Sequence, residues 1–294
     1  MPPPKPSILT EELRVASDLA KSAGEIILGV RDRAREHPQE KAGDQGPVTE
    51  ADLAADVALR EGLAAAFPLD VIVSEESWSG DGVVPGGDRV WFVDPIDGTA
   101  EFIEGRDDYA VMIGLCVQGV PALGVIYQPA TDTLWRGAVA DGERFCERIQ
   151  ALVVPERLDL RERPLPPEGP RAAVSRSHPN RVTDAMLTAI GGGSAVRKGS
   201  VGLKAALIVD GGADLYLSGS KRIKVWDTAG PEALLRAAAC SMTALDGELL
   251  YYTQRAAHPS GVCAWTAAAA AALEEPLRRA LRHYREQPPG VDDT

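Results

Sequence analysis

Two carboxylates three residues apart, with a hydroxyl just beyond them, stand in Asp94-Pro95-Ile96-Asp97-Gly98-Thr99, directly after the apolar run 90–93. Residues 90–93 read as a buried strand, so Asp94 falls where the strand ends, and Pro95 forbids the ladder from continuing past it. Pro95 fixes its own φ and Gly98 permits a tight reversal, so Asp94, Asp97 and the Ile96 carbonyl can point into one small volume. Such a volume suits a hard cation. Asp-Gly and Pro-x-Asp-Gly are also ordinary turn sequences in which Asp caps its own backbone, so the question is what else converges on this stretch.

Other carboxylates fall at comparable places. The β-branched strand Val71-Ile72-Val73 ends in Ser74-Glu75-Glu76. An isolated Glu-Glu pair is a solvated loop edge, but two strands ending in carboxylates shift that balance. Asp227, in Val225-Trp226-Asp227-Thr228-Ala229-Gly230-Pro231, stands at the mouth of a helix predicted over 228–239. Thr49 opens another helix with Asp52 three residues on; Asp52 either caps the helix or faces a site at its N-terminus. Gly199-Ser200 starts a helix through Lys204, and its free amide groups offer an anion site with Ser200 as the cap. His178 ends the run Ser175-Arg176-Ser177-His178 that follows the strand 172–174. Taken singly, His178 reads as a surface histidine and Lys204 as a solvated helix face.

The elements that must position these groups follow from periodicity. Leu13, Ala16, Ala20, Ala23, Ile27 and Val30 recur at helical spacing behind Thr10 as a cap. Runs 109–117, 120–128 and 133–139, joined by turn residues, describe an antiparallel meander. The charged, proline-rich stretch 141–169 marks a seam, which predicts an N-terminal half of residues 1–155 with most candidate ligands and a C-terminal half of residues 156–294 with Asp227. The second half reads as a strand over 213–217, a basic loop Lys221-Arg222-Ile223-Lys224, a hairpin turn at Asp246-Gly247 before a strand over 249–252, a final strand over 262–265, and an Ala-rich helix opened by Thr266 with a kink or restart at Pro276. Mixed order with a meander predicts a layered α/β fold rather than a purely parallel doubly wound one.

The chain has 294 residues, 45% of them hydrophobic, and a net charge of -12. That length buries a substantial core. The charge disfavours nucleic acid polymers and anionic membranes as surface partners, and a phosphate ligand would need local cations. Cys116, Cys146, Cys240 and Cys263 form no zinc-knuckle or CxxC spacing and read as buried thiols in a reducing compartment. The proline-rich start has no apolar h-region and the alanine run 267–272 is too short to span a bilayer, so a cytoplasmic protein is expected.

In this order, Glu75-Glu76, Asp94-Pro95-Ile96-Asp97-Gly98-Thr99 and Trp226-Asp227-Thr228-Ala229 resemble the lithium-sensitive, magnesium-dependent phosphomonoesterases of the inositol monophosphatase superfamily, across nearly the whole chain. Four further stretches look most like its bisphosphate nucleotidase branch, which removes the 3′-phosphate of 3′-phosphoadenosine 5′-phosphate: Pro47-Val48-Thr49-Glu50-Ala51-Asp52, Thr99-Ala100-Glu101-Phe102-Ile103, Ser175-Arg176-Ser177-His178, and Gly199-Ser200 ahead of Lys204. The resemblance implies an αβαβα sandwich with the metal site between its halves. It implies Glu75, Asp94, the Ile96 carbonyl, Asp97 and Asp227 as ligands of two or three magnesium ions. It implies Asp52, Glu75 and Thr99 as the groups that orient or deprotonate the attacking water. Asp97, Gly98, Thr99, His178, Ser200, Lys204 and Asp227 would contact a phosphorylated small-molecule substrate, in a monomer or homodimer. Departures are Gly230-Pro231, where many members have a second alanine, and Cys240 at a helix end where glycine is usual. The rival readings are an inositol or broad sugar phosphatase on the same scaffold, a non-catalytic regulatory member, and a calcium-binding structural domain, for which the acids lack the dense spacing.

Overall fold

The structure is a computed structural model that describes residues 9–40, 47–78, 83–151, 153–191 and 194–286. The proline-rich start, residues 41–46 of the polar loop and Gly192-Gly193 lie outside the described residues.

Helix α1 (Thr10–Glu36) buries the predicted apolar stripe; its cap is Leu9, at φ 50°, rather than Thr10. A short pair of strands, β1 (Gln39–Glu40) and β2 (Pro47–Val48), leads to α2 (Glu50–Ala66), which Thr49 and Asp52 open with a reciprocal capping box. Strands β3 (Val71–Ser74) and β4 (Arg89–Asp97), helix α3 (Thr99–Ile103), then β5 (Ala110–Val117), β6 (Val120–Gln128), β7 (Thr133–Ala140), β8 (Glu143–Gln150) and β9 (Glu156–Arg157) follow. The seven strands lie side by side in chain order, and only the β3–β4 pair is parallel. Alternation sends Trp91, Val93, Val111 and Ile113 to the face covered by α1 and α2, and Val90, Phe92, Ala110 and Met112 to the other.

The second half supplies β10 (Ala172–Ser175), α4 (Arg181–Ala189), β11 (Ala195–Lys198), α5 (Val201–Val209), β12 (Leu215–Ser218), α6 (Val225–Ala237), β13 (Ser241–Ala244), β14 (Val262–Trp265) and α7 (Ala267–Glu286). Its five strands run in the order β11-β10-β12-β14-β13, with β10 parallel to β11 and β12, and β14 antiparallel to its two neighbours. Helices α5 and α6 sit in one apolar core with the inner faces of both sheets. The core around α4 and α7 covers the outer face of the second sheet. The result is a five-layered αβαβα sandwich.

The sequence reading needs correction at four further places. Strand β4 does not stop at Asp94: a bulge between Asp94 and Asp97 absorbs Pro95 and lets pairing with β5 resume at Asp97. The stretch read as a seam contributes β8 and β9, so the first sheet closes only at Arg157. Residues 249–252 are irregular, because β13 takes β14 as its partner and leaves Leu249 and Tyr251 exposed. At the end of α6 the left-handed residue is Ala239 (φ 65°), with Cys240 N–H reaching back to the Leu235 carbonyl at 2.8 Å; the glycine-type position of the cap is Ala239 and not Cys240. The four cysteines are free and buried. No helix among the described residues is long and apolar enough to cross a membrane.

One contact seats α6 on the first sheet. A Cβ at Gly114 would lie 2.4 Å from the Gly230 nitrogen, and one at Gly124 would lie 2.0 Å from the Gly230 oxygen. The helix backbone therefore rests directly on β5 and β6, and glycines at 114, 124 and 230 are what permit it. Gly124→Ala forces the helix away from the sheet. We expect a loss of about 2–3 kcal/mol of stability, read as a lowered urea midpoint, with a parallel fall in activity because the same helix carries Asp227.

Candidate active site

Three elements bring the predicted carboxylates together. Glu75 follows β3, and its N–H donates to the Val93 carbonyl at 3.1 Å, which holds it beside the tip of β4. Asp94 sits on β4 just before the bulge, and Asp227 lies in the first turn of α6. One oxygen from each of Glu75, Asp94 and Asp227 lies within 4.8 Å of the others, with Asp94 buried and the other two half-buried. Burial, and then the charges of Glu75 and Asp97, push the Asp227 carboxyl well above its ordinary range. Three crowded carboxylates are repulsive as they stand, and hard oxygen donors so arranged fit a divalent cation that would relieve the repulsion.

Asp52 caps its helix and also meets the turn that follows β4. Its Oδ2 accepts from the Thr49 N–H at 2.8 Å and the Thr49 hydroxyl at 2.6 Å, which caps α2. Its Oδ1 accepts from the Thr99 hydroxyl at 3.0 Å, which ties the helix to the Asp97-Gly98-Thr99 turn. The same hydroxyl lies 3.0 Å from the Ile96 carbonyl, so its single proton has two acceptors. Gly98 turns the chain at φ 101°, where its Cα approaches the Asp108 carbonyl too closely for a side chain: a Cβ would sit 2.9 Å away.

Asp97 is not one of the three clustered groups. Its Oδ2 accepts from the Ser200 hydroxyl and from the Gly202 N–H at 2.8 Å, leaving Oδ1 as the oxygen that can face a ligand. Burial pushes its carboxyl up to about 6 against the lowering influence of Lys204. Ser200, fully buried, also caps α5 by accepting from the Leu203 N–H at 2.9 Å. Lys204, which taken singly reads as a solvated face and by the resemblance as a substrate contact, is buried. Its Nζ donates to the carbonyls of Gly199 (2.6 Å) and Lys198 (3.2 Å) and lies over the Tyr216 ring at 5.3 Å, so it supports the loop ahead of Ser200 from beneath. Burial lowers its pKa to about 8. His178 is exposed just beyond β10, anchored by its N–H to the Ser175 hydroxyl at 3.1 Å.

Several groups at the site were not singled out from sequence. Asp108 gathers Arg176 (2.7 Å) and Lys198 (2.9 Å), and its backbone carbonyl accepts from the Ser200 N–H at 3.2 Å. Buried Glu101 accepts from the Ser177 hydroxyl. Glu101, Arg176 and Ser177 lie inside stretches that carry the family resemblance, but nothing local marks Asp108, because its partners are supplied by the other half of the chain. His258 is the other addition. Its Nε2 lies 2.8 Å from the Thr228 hydroxyl and its N–H donates to the Ile223 carbonyl at 2.9 Å, while Val225 N–H donates to Ala256 at 2.8 Å. Residues 256–258 thus clamp the entry to the Asp227 helix.

Burial lowers the His258 pKa to about 4. The unfolded chain protonates this imidazole below its ordinary value near 6.5 while the native state resists, so stability is full above that value and falls as the pH drops towards 4. His258→Gln removes this contribution. Urea midpoints of the two proteins should fall less steeply between pH 6.5 and 4.5 in the variant, with a difference of about 2 kcal/mol across that window; parallel slopes would assign the acid sensitivity elsewhere.

Comparison with known proteins sets this geometry in context. The profile of the inositol monophosphatase family matches residues 8–280. A 3′(2′),5′-bisphosphate nucleotidase CysQ of Salmonella typhimurium is 34% identical over 244 residues, covering 83% of this chain and 94% of that protein. A 3′-phosphoadenosine 5′-phosphate phosphatase of Mycobacterium leprae is 33% identical over 259 residues, covering 82% of this chain and 83% of that protein. Among solved structures, CysQ from Bacteroides thetaiotaomicron superposes with a TM-score of 0.68 at 28% identity, over 87% of this chain and 97% of its own.

Proposed function

The chain belongs to the inositol monophosphatase family, and from that premise we propose that it is a magnesium-dependent phosphomonoesterase that hydrolyses the 3′-phosphate of 3′-phosphoadenosine 5′-phosphate to give AMP and phosphate. The observation that carries the hydrolytic part is the convergence of Glu75, Asp94 and Asp227 from three separate elements. The nucleotide part is supported by the relatives named for that substrate.

In this reading Glu75, Asp94, the Ile96 carbonyl, Asp97 and Asp227 hold two or three magnesium ions. Bound there, magnesium neutralises phosphate charge, stabilises the leaving oxygen and lowers the pKa of the attacking water. The chain's own residues do the rest. Thr99 Oγ1, 3.0 Å from Asp52 Oδ1, takes a proton from the attacking water as its own proton passes to Asp52. Asp52 is a fixed acceptor because Thr49 holds its other oxygen. Glu75 contacts the same water, and the backbone amides of Gly98 and Thr99 donate to phosphate oxygens. Ser200 fixes Asp97, Lys204 shapes the loop beside it, and His178 flanks the nucleotide. The water oxygen bonds to the 3′-phosphorus as the bond from phosphorus to the ribose oxygen breaks, the ribose oxygen takes a proton from solvent to become the 3′-hydroxyl, and no covalent phosphoenzyme is needed.

The test is phosphate release, with magnesium, from 3′-phosphoadenosine 5′-phosphate and from inositol 1-phosphate side by side. A strong preference in kcat/KM for the nucleotide is the expected result. Preference for inositol phosphate would keep the hydrolytic chemistry and discard the nucleotide. Asp94→Asn should lower kcat by at least about a thousand-fold while leaving the far-UV spectrum and melting temperature close to the parent, and near-normal turnover would remove Asp94 from the ligand set.

A further inference from the structure

Glu75 and Asp227 reach the carboxylate cluster from different halves of the chain, and there they repel one another. Each is tied to its own segment. The Glu75 N–H donates to the Val93 carbonyl at 3.1 Å and its carbonyl accepts from the Trp78 N–H at 3.4 Å, so residues 75–78 form one turn beyond β3. Asp227 Oδ2 accepts from the Lys224 N–H at 2.7 Å, so its carboxylate moves with the first turn of α6.

A pair of rings joins the two segments. Trp78 closes the turn that Glu75 opens, and Trp226 immediately precedes Asp227. Their ring centroids lie 6.3 Å apart at 56°, within the range where tilted aromatic pairs attract. Trp226 is 5% exposed, embedded in the core between the two sheets, and its neighbour Val225 is bonded to the Ala256 carbonyl at 2.8 Å. Trp78 packs on that core half-buried. Trp226 is therefore the fixed platform, and Trp78 is the ring that can leave it.

A half-buried tryptophan shields a core from water whatever its neighbours, and that role alone would show in stability. The placement of Trp78 does more: it stands three residues from one carboxylate of the cluster and rests on the residue next to another. Parting the rings would let the 75–78 turn follow the charge repulsion away from Asp227. A site assembled in only a fraction of molecules binds its ligand more weakly by that fraction. The ordinary strength of an aromatic pair changes such a fraction roughly two- to ten-fold.

We propose that Trp78 is a positioning residue for the cation site: its ring, set on Trp226, holds Glu75 against Asp227 before any cation arrives and so sets the affinity for magnesium. This rests on the magnesium reading above.

The experiment uses the full chain, freed of metal with EDTA and dialysed, and its variants Trp78→Ala, Trp78→Leu and Trp78→Phe. Magnesium is titrated by calorimetry without substrate, which gives a readout independent of turnover. Trp78→Ala should raise the magnesium Kd roughly five-fold, and Trp78→Phe, which keeps a ring on Trp226, should bind as the parent does. On whichever phosphate ester the parent turns over, the magnesium concentration for half-maximal rate should rise in the alanine variant by the same factor, with kcat at saturating magnesium changed less than about two-fold. Trp78→Leu keeps apolar bulk over the core without the ring pair; it should weaken magnesium at least about two-fold, and it carries the test if Trp78→Ala does not fold. A lowered melting temperature in EDTA with the parent's magnesium Kd would make Trp78 a cover for the core and overturn the proposal, leaving the magnesium reading intact. A phenylalanine variant as weak as the alanine one would equally overturn the ring contact as the cause. A parent that takes up no magnesium would overturn the magnesium reading and this proposal with it.

Discussion

Everything at the site depends on how closely α6 can lie on the first sheet. Asp94 and Glu75 are fixed by β3 and β4, whereas Asp227 comes from the other half of the chain and has no sequence neighbour among them. Three glycines settle the matter, because Gly114, Gly124 and Gly230 remove the side chains that would hold helix and strand backbones apart. An ordinary helix-on-sheet packing distance, set by side chains, would carry Asp227 out of reach of the other two carboxylates. Residues 256–258 then fix the approach to the helix from the opposite side, and the buried contact of His258 with Thr228 locks the residue next to Asp227. The site is in this sense a product of close packing before it is a product of charge.

Charge is what the packing must then sustain. Glu75, Asp94 and Asp227 repel one another, and Asp97 stands near enough to raise Asp227 further. The fold answers each carboxylate it can reach with donors that are also structural. Asp52 completes a capping box and receives Thr99; Asp97 is bonded by the cap residue and a backbone amide of α5. The starts of α2 and α5 are thereby joined to the same short turn, so ordering the helices and ordering the site are a single event.

Much of this was legible in the sequence, for identifiable reasons. Carboxylates spaced closely after apolar runs, and cap residues ahead of helical periodicity, mark themselves locally, so Glu75, Asp94 and Asp97 and the helix starts at Thr49 and Ser200 could be placed from local chemistry. The meander was visible because β-branched and aromatic runs alternate with turn residues. What failed did so where a tertiary partner overrode local preference. A bulge carried β4 through Pro95, the charged and proline-rich stretch still paired as β8 and β9, and residues 249–252, strand-like by composition, lost their partner to β14. Lys204 taken singly reads as solvated because a lysine in a helix usually is; the carbonyls of Lys198 and Gly199 and the Tyr216 ring, all supplied by tertiary structure, make its burial tolerable. Asp108 and His258 were silent because everything that gives them meaning is far away in sequence.

The division of the edge of the second sheet from the carboxylate-bearing turns has an evolutionary consequence. The loop leaving β10, residues 176–180, contributes nothing to either hydrophobic layer of the second sheet. Lengthening such a loop costs little beyond closure entropy, about 0.6 kcal/mol for each doubling. A lineage can therefore vary this loop without disturbing the close-packed glycines that bring the three carboxylates together. Variation beside a constant cluster of carboxylates is what this architecture permits at least expense to folding.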